Sequence, residues 1–312
     1  MKAVQINAYG GPEVLEVKEN IPQPSPKKGQ ILVEVSAAGL NPFDAKLRAG
    51  MMKNMIPLKF PVTPGGDFAG LVTQVGEGVS DIEAGDEVYG TAIILNGGSG
   101  AYAEIAVANV ANCALKPKSI GFSQAAALPV AGISAVQAVE EHMNLTSGQK
   151  ILIHGGAGGI GHMAIQLAKS IGGNVATTVS ADDKEFVKGL GADEAIDYKS
   201  QKFAEILKEY DAVFDTVGGA VTEKSFQVLK RGGILLSMLG QPNEELARKY
   251  GVTGIGQQTQ NNTQHLTRLA ELVDSGKIKV HIDKTFPLEE VQAAFTHLET
   301  GHPRGKVVLK VK

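Results

Sequence analysis

Lys150-Ile151-Leu152-Ile153-His154-Gly155-Gly156-Ala157-Gly158-Gly159-Ile160-Gly161 decides the fold. Its first five residues, Lys150 to His154, with Ile151, Leu152 and Ile153 apolar, read as a strand. Ile160 to Ile171 then places Ile160, Met163, Ala164, Leu167, Ala168 and Ile171 at helical spacing. Between the two, Gly156, Gly158 and Gly161 satisfy Gly-x-Gly-x-x-Gly. At such a join the first glycine permits a tight turn. The second lets a pyrophosphate approach the backbone, and the third lets helix and strand pack closely. Free amides and the positive end of the helix dipole then face the phosphates. In a chain with 38 glycines among 312 residues the bare pattern is weak, and a tight strand-to-helix turn in some other α/β protein is the alternative. Strand, loop and helix in that order predict a dinucleotide site at Gly156, Gly158, Gly159, Ile160 and Gly161.

Downstream, strand-like Asn174 to Val179, Asp193 to Tyr198, Asp211 to Thr216 and Gly232 to Leu239 alternate with helical Asp182 to Leu190, Gln201 to Lys208 and Val221 to Leu229. This alternation means right-handed crossovers and a parallel, doubly wound sheet of the α/β class. Upstream the rhythm differs. Ile31 to Val35, Gly70 to Val75, Gly85 to Gly90 and Ala101 to Val107 are short runs separated by Gly and Pro, the pattern of an all-β, barrel-like unit. After the sheet, Thr263 to Ser275 reads as an amphipathic helix, and Lys277 to Lys312 returns to short strands. We therefore expect residues 1–122 and 263–312 to form one domain, with the dinucleotide-binding domain, 123–262, inserted.

The charge balance excludes some partners. With 33 acidic and 30 basic residues the net charge is −3, which argues against nucleic acid, whose phosphates require a basic face. Ala125 to Val139, the longest apolar stretch, is too short to span a bilayer and is broken by Pro129. Met1-Lys2-Ala3-Val4-Gln5-Ile6 alternates like a strand and has no apolar signal core. The expectation is a cytoplasmic protein with no membrane partner. The single cysteine, Cys113, allows neither an intrachain disulfide nor a multi-cysteine zinc site.

The end of the second strand bears on which dinucleotide binds. An acid at about 20 residues past the glycines usually holds the ribose 2′-hydroxyl of NAD. Here the strand ends at Ser180, with Lys184 one turn into the next helix. Serine leaves room for a 2′-phosphate, and Lys184 supplies charge, so NADPH is expected. The plain alternative for Lys184 is a solvated helix-face lysine. Asp182 and Asp183 lie close enough to repel a phosphate, and helix-start capping is the role expected of them.

Taken together, the motifs resemble the zinc-independent medium-chain dehydrogenase/reductases, in their quinone oxidoreductase and alkenal/enone reductase branch. The resemblance covers the whole chain. It is carried by Gly39-Leu40-Asn41-Pro42-Phe43-Asp44, Pro64-Gly65-Gly66-Asp67-Phe68-Ala69-Gly70, Ala125-Ala126-Ala127-Leu128-Pro129, the glycine loop, Leu190-Gly191-Ala192-Asp193 and Gly305-Lys306-Val307-Val308-Leu309. It implies a GroES-like, barrel-like catalytic domain and a Rossmann domain, with the active site in the cleft between them. Zinc-dependent relatives carry Cys in the segment here reading Gly39-Leu40-Asn41, and Gly-His-Glu in place of Gly65-Gly66-Asp67. Those ligands are absent, no histidines pair at metal spacing, and no metal is expected. Chemistry that sends charge into an enolate or hydroquinone has less need of a Lewis acid than an alcohol reaction has.

The resemblance assigns roles to single residues. Asn41 would lie near the nicotinamide ribose or substrate, unless it only forms a turn before Pro42. Ser134 would touch the cofactor, Tyr198 would lie beside the 2′-phosphate or adenine, and Ser237, Met238, Leu239 and Gly240 would pass near the nicotinamide. Several bacterial quinone reductases have a cleft tyrosine where this chain has Lys46, and plant-type alkenal reductases tend to have lysine. Lys46 is thus either a catalytic-site residue favouring enones or a solvated helix residue. Ala92 to Gly100 either covers the cleft or is a surface loop. The expected activity is NADPH-dependent hydride transfer to a quinone or to the C=C bond of an α,β-unsaturated carbonyl, by a homodimer. The alternatives are a non-catalytic, crystallin-like NADPH-binding protein and a carbonyl or alcohol dehydrogenase. A short-chain dehydrogenase is a further rival, because Gly155, Gly159 and Gly161 fit its loop and Tyr198 with Lys202 gives Tyr-x-x-x-Lys. That family, however, starts with its glycine loop and carries the pair on a helix.

Overall fold

The computed structural model describes residues Met1–Lys312. The chain divides into two compact units. One comprises Met1–Val130, Asn261–Ser275 and Val280–Lys312; the other comprises Ala131–Gln260 and Gly276–Lys279.

The first unit begins with an antiparallel pair, β1 (Ala3–Gln5) and β2 (Glu16–Lys18). Its organising strand is β3 (Gln30–Gly39), which pairs antiparallel with β4 (Asp67–Val75). Beyond β4 lies β5 (Glu87–Thr91), while β6 (Ile105–Asn109) pairs with β3, and β7 (Cys113–Leu115) follows β5. Two short helices, α1 (Pro42–Arg48) and α2 (Phe122–Ala126), accompany these strands. The apolar positions Ile31, Val33, Val35, Phe68, Val72 and Val88 join Tyr102 and Phe295 in one buried core. Each such side chain contributes about 1.5–3 kcal/mol on burial.

The second unit begins inside α3 (Pro129–Val136), at Ala131, and the helix runs on into a π-helical turn, Gln137–His142. The unit is built on β8 (Lys150–His154), whose Ile151 to His154 are buried on both faces, as in a strand covered by helices on each side. Next come α4 (Gly161–Ile171), β9 (Asn174–Val179), α5 (Lys184–Gly189), β10 (Glu194–Asp197), α6 (Phe203–Ile206), β11 (Tyr210–Asp215), α7 (Ala220–Ser225), β12 (Leu229–Ser237), α8 (Glu244–Tyr250) and β13 (Thr253–Gly256). All six strands are parallel, in the order β10-β9-β8-β11-β12-β13. The chain's direction of travel across the sheet reverses between β8 and β11. At such a switch point a crevice opens beyond the carboxyl ends of the strands.

The tail returns to the first unit through α9 (Thr263–Asp274), β14 (Ile282–Pro287), α10 (Val291–Thr300) and β15 (Lys306–Lys310). There β15 pairs antiparallel with β3, Val308 opposite Gly39, so the two ends of the chain share a sheet.

The structure differs from the sequence reading in several places. Residues 123–130 belong with the first unit, because α2 lies against β3: a Cβ at Gly39 would come within 2.3 Å of Ala126 O. Of the run Ala101 to Val107, only Ile105 onward is strand; Tyr102 and Ala103 instead meet the β1 segment through a Val4 N–Tyr102 O bond and an Ala3–Ala103 bridge. The helices expected over Gln201 to Lys208 and Val221 to Leu229 contract to Phe203–Ile206 and Ala220–Ser225. No helix is long and apolar enough to cross a membrane.

Candidate active site

The glycine loop lies at the switch point, between the end of β8 and α4. Gly155 has φ +71°, and the Gly155 and Gly156 amides both donate to Thr178 O on the neighbouring strand. Close packing accounts for two glycines of the motif. A Cβ at Gly156 would stand 2.0 Å from Thr177 Oγ1, and one at Gly161 would stand 2.2 Å from Gly155 O. Gly158 differs: its nearest neighbour would be Gly155 O at 3.4 Å, an ordinary contact. The protein itself therefore does not require glycine there, whereas a pyrophosphate resting on the loop does. Gly158 N donates to Gly155 O and His162 N to Gly158 O, but the amides of Gly159, Ile160 and Gly161 meet no acceptor in the protein. Three free donors at the start of an eleven-residue helix suit a diphosphate. The loop fits the dinucleotide expected of it.

His154 anchors the loop from below. It is buried, with Nδ1 on Thr178 Oγ1 and Nε2 on Ser225 Oγ, both 2.9 Å, and its ring meets Phe203 edge-on. Burial pulls its pKa down to about 4, opposed by Asp215, so the imidazole is neutral and structural.

At the carboxyl ends of β9 and β10 the structure gathers Ser180, Lys184 and Tyr198. Tyr198 N donates to Val179 O, and the Tyr198 ring is 55% exposed. Lys184 Nζ lies 3.2 Å from Gln201 Oε1, which also accepts from Asp197 N. Ser180 Oγ donates to Asp183 Oδ2 at 2.6 Å. Asp183 holds the N-cap position of α5 but makes no side-chain cap bond, so the capping role expected for it is replaced by this grip on Ser180. Tyr198 follows a strand and Lys202 is paired with Glu205, so the Tyr-x-x-x-Lys pair of the short-chain reading is not on one helix.

The ends of β11 and β12 complete the row. Ser237 is buried, Ser237 Oγ accepts from Leu239 N, Met238 is half-buried, and Gly240 has φ +127°. Ser134 is buried, 2.6 Å from Thr259 Oγ1, with its carbonyl accepting from Gln257 Nε2. Sequence reasoning missed Gln257, whose buried Oε1 has no partner. It also missed Asp215, which accepts from Val217 N, Gly218 N and Thr222 Oγ1 and shapes the turn after β11. Val217 and Leu239, 52% and 48% exposed, place apolar surface at the same edge of the sheet as Tyr198. A row of exposed apolar side chains beyond the strand ends marks a ligand face.

In the first unit, Asn41 caps α1 inside a buried polar cluster. Its backbone N–H donates to Asp44 Oδ2 (3.0 Å), which also accepts from Tyr102 OH (2.9 Å). The Asn41 side chain meets Lys306 and Asp67: Nδ2 donates to Asp67 Oδ2 at 2.9 Å, and Oδ1 accepts from Lys306 Nζ. Lys306 also donates to Leu40 O (2.8 Å) and stands 3.9 Å from Asp67. Burial raises Asp67 to about 6 against the pull of Lys306; burial and then the Asp67 charge raise Asp44 to about 7. Burial depresses Lys306, and Asp67 and Asp44 oppose it. Lys46 projects into solvent from α1, apart from this cluster. The segment Ala92 to Gly100 is tied to its own unit by Gln30 Nε2 to Gly97 O and by Asn109 to Asn96 O. Cys113 is a free, buried thiol on Asn109 O, and no three His, Cys, Asp or Glu side chains gather as a metal site.

Comparison with known proteins agrees with this architecture. Residues 27–118 match the family described as an alcohol dehydrogenase GroES-like domain, and residues 190–309 match one described as a zinc-binding dehydrogenase. The chain is 39% identical over 99% of its length, and 79% of the relative's, to the NADPH-dependent alkenal/one oxidoreductase, chloroplastic, of Arabidopsis thaliana. It is equally similar, over the same shares of each chain, to 2-methylene-furan-3-one reductase of Solanum lycopersicum (39%). Its fold superposes on the quinone oxidoreductase from Coxiella burnetii with a TM-score of 0.89 at 37% identity, covering 100% of this chain and 99% of that one. The chain belongs to the quinone oxidoreductase and alkenal/enone reductase branch of the zinc-independent medium-chain dehydrogenase/reductases.

Proposed function

We propose that this protein is an NADPH-dependent oxidoreductase that reduces the C=C bond of α,β-unsaturated carbonyls, or equivalently quinones. The observation that carries the reading is the glycine loop at the switch point, with three free amides and a glycine at 158 that only a ligand requires. The alkenal/one and furanone reductases among its relatives favour enones.

When bound, NADPH supplies a hydride. The residues of this chain hold and orient it: the amides of Gly159, Ile160 and Gly161 take the pyrophosphate, and Lys184, Ser180 and Tyr198 take the 2′-phosphate end. Ser134 and Ser237 to Gly240 border the nicotinamide. The family resemblance assigns Asn41 to the nicotinamide ribose or the substrate. No side chain stands out as an acid for the α-carbon, so solvent protonates it. NADPH oxidation followed by absorbance against a panel of enones, quinones and alcohols tests this. Turnover with enones or quinones supports it, and turnover confined to the carbonyl of saturated substrates overturns it.

Two further readings belong to the same proposal. β13 is an edge strand with one free side, so a homodimer through that edge is expected; a solution mass of one chain at micromolar concentration would refute it. The cytosol, a compartment in keeping with the single free thiol of Cys113, is the proposed location, and cell fractionation checks it.

A further inference from the structure

His154 is buried beneath the glycine loop, and its side-chain partners, Thr178 and Ser225, lie with it in the second unit. A neutral imidazole donates from one ring nitrogen and accepts at the other, and its neighbours decide which. Here the decision is made in α7. Ser225 Oγ donates its only proton to Val221 O, 2.8 Å away in the same helix. Toward His154 Nε2, at 2.9 Å, that hydroxyl can therefore only accept, so Nε2 carries the proton. Nδ1 is left with its lone pair, and Thr178 Oγ1, at 2.9 Å, must donate to it. With its proton spent, Thr178 Oγ1 turns a lone pair to Gly155 N at 3.4 Å. Val221, Ser225, His154, Thr178 and Gly155 are thus joined by four hydrogen bonds that all run one way. Bonds aligned head to tail polarise one another.

Both ends of this relay matter to the crevice. α7 is fixed to the end of β11, because Asp215 accepts from Thr222 Oγ1 as well as from Val217 N and Gly218 N. Gly155 is the hinge of the loop. Its amide also donates to Thr178 O at 3.2 Å, and its own carbonyl accepts from Gly158 N. That carbonyl also lies against Gly161, so the start of α4 and its free amides follow wherever Gly155 goes. β8 and β11 are the paired strands that flank the switch point, and the relay crosses it beneath the crevice.

We propose that Ser225, His154 and Thr178 are positioning residues for the dinucleotide: through the direction of this relay, α7 holds Gly155 and, with it, the amides that receive the pyrophosphate. This rests on the pyrophosphate lying on the glycine loop, as proposed above. Loss of the Ser225 hydroxyl leaves Nε2–H without an acceptor in a buried place, and the imidazole shifts to the Nδ1–H tautomer. Thr178 Oγ1 must then accept from Nδ1, and its own proton is left either unpaired or facing Gly155 N–H. The loop is disturbed from Ser225, a residue with no exposed surface.

The test compares Ser225→Thr with Ser225→Val in the full chain, since the two side chains are close in shape and differ in the hydroxyl. Nitrogen NMR of protein labelled at histidine, with the His154 signals identified by their loss in His154→Phe, reads the tautomer. Nε2 should be protonated and Nδ1 bare in wild type and Ser225→Thr, and the reverse in Ser225→Val. By fluorescence titration NADPH should bind Ser225→Val about three- to tenfold more weakly, the worth of one neutral hydrogen bond, and Ser225→Thr within about twofold of wild type. Adenosine 2′-monophosphate, which has the 2′-phosphate but no pyrophosphate, should bind all three alike by calorimetry. Equal loss of both ligands in Ser225→Val would mean general disruption and overturn the positioning role.

Wild type with Nδ1 protonated overturns the relay. So does a folded Ser225→Val that binds NADPH like wild type while Gly158→Ala binds it weakly, a result that leaves the pyrophosphate on the loop. If Gly158→Ala also binds NADPH like wild type, the pyrophosphate lies elsewhere and both readings fall. If either Ser225 variant fails to fold, Thr178→Val against Thr178→Ser decides: weaker NADPH binding by Thr178→Val supports the relay, and equal affinity overturns it.

Discussion

Alanine placed in turn at Gly156, Gly158 and Gly161 should divide the loop into what the fold needs and what the dinucleotide needs. At Gly161 the new methyl would stand 2.2 Å from Gly155 O and 2.7 Å from Gly156 Cα. Both are backbone atoms, so the strand-to-helix join itself must shift. At Gly156 the methyl would stand 2.0 Å from Thr177 Oγ1, which is held in place by its own bond to Ile153 O at 2.6 Å. Overpacking of this kind costs about 1–3 kcal/mol. At about 2–4 °C per kcal/mol, each variant should melt about 2–12 °C lower. Gly158→Ala meets nothing closer than 3.4 Å, and its φ is not in the left-handed region, so its stability should change by less than about 1 kcal/mol. A methyl between that backbone and a pyrophosphate should nevertheless weaken NADPH by at least about tenfold, or 1.4 kcal/mol. Melting curves and fluorescence titration read the two effects separately. Gly158→Ala binding NADPH like wild type would refute the placement of the pyrophosphate. Gly158→Ala melting as low as Gly161→Ala would refute the steric reasoning.

Lys184→Ala should weaken NADPH about 10- to 150-fold, from a charged hydrogen bond of about 1.5–3 kcal/mol, and leave NADH almost unchanged; equal weakening in nucleotide titrations would remove Lys184 from the phosphate. Asp183→Asn, which relieves a carboxylate 2.6 Å from Ser180 Oγ, should tighten NADPH relative to NADH, as the same titrations would show. Asp44 is raised to about 7 in the folded chain from 3.8, so the folded state binds the extra proton and its contribution is lost as pH rises through 7. Asp44→Asn should therefore gain on wild type in urea unfolding between about pH 4 and pH 8, by up to about 4 kcal/mol; a difference constant with pH would contradict this. The comparison is made against wild type because neutral His154 acts in the opposite sense below about pH 6.5, where the unfolded imidazole takes up a proton and the folded one does not.

Much of this was legible in the sequence because the second unit obeys local rules. β8 and β9 fall where their apolar runs predict, and α4 starts within a residue of its predicted position. Gly156 and Gly161 sit where close packing demands glycine. What escaped was set by partners far apart in sequence. Lys306 reads as an ordinary strand-end lysine in Gly305-Lys306-Val307, and only the pairing of β15 with β3 brings it to Leu40 and Asn41. Nothing in the motifs that hold Asp67 and Asp44 marks either acid as buried, yet both are. Asp183 next to Ser180 was visible, but whether it would cap a helix or grip the serine depended on the local turn. Lys46 reads equally as a site residue or a solvated helix residue, and only the helix shows that it is exposed while Asn41, five residues before it, is buried.

The most direct measurement follows the hydride. With NADPH carrying deuterium at one face of the nicotinamide C4, and a simple enone as acceptor in ordinary water, the account predicts label at the β-carbon of the saturated ketone and none at the α-carbon. Label at the carbonyl carbon, giving an allylic alcohol, would contradict it and make this protein a carbonyl reductase.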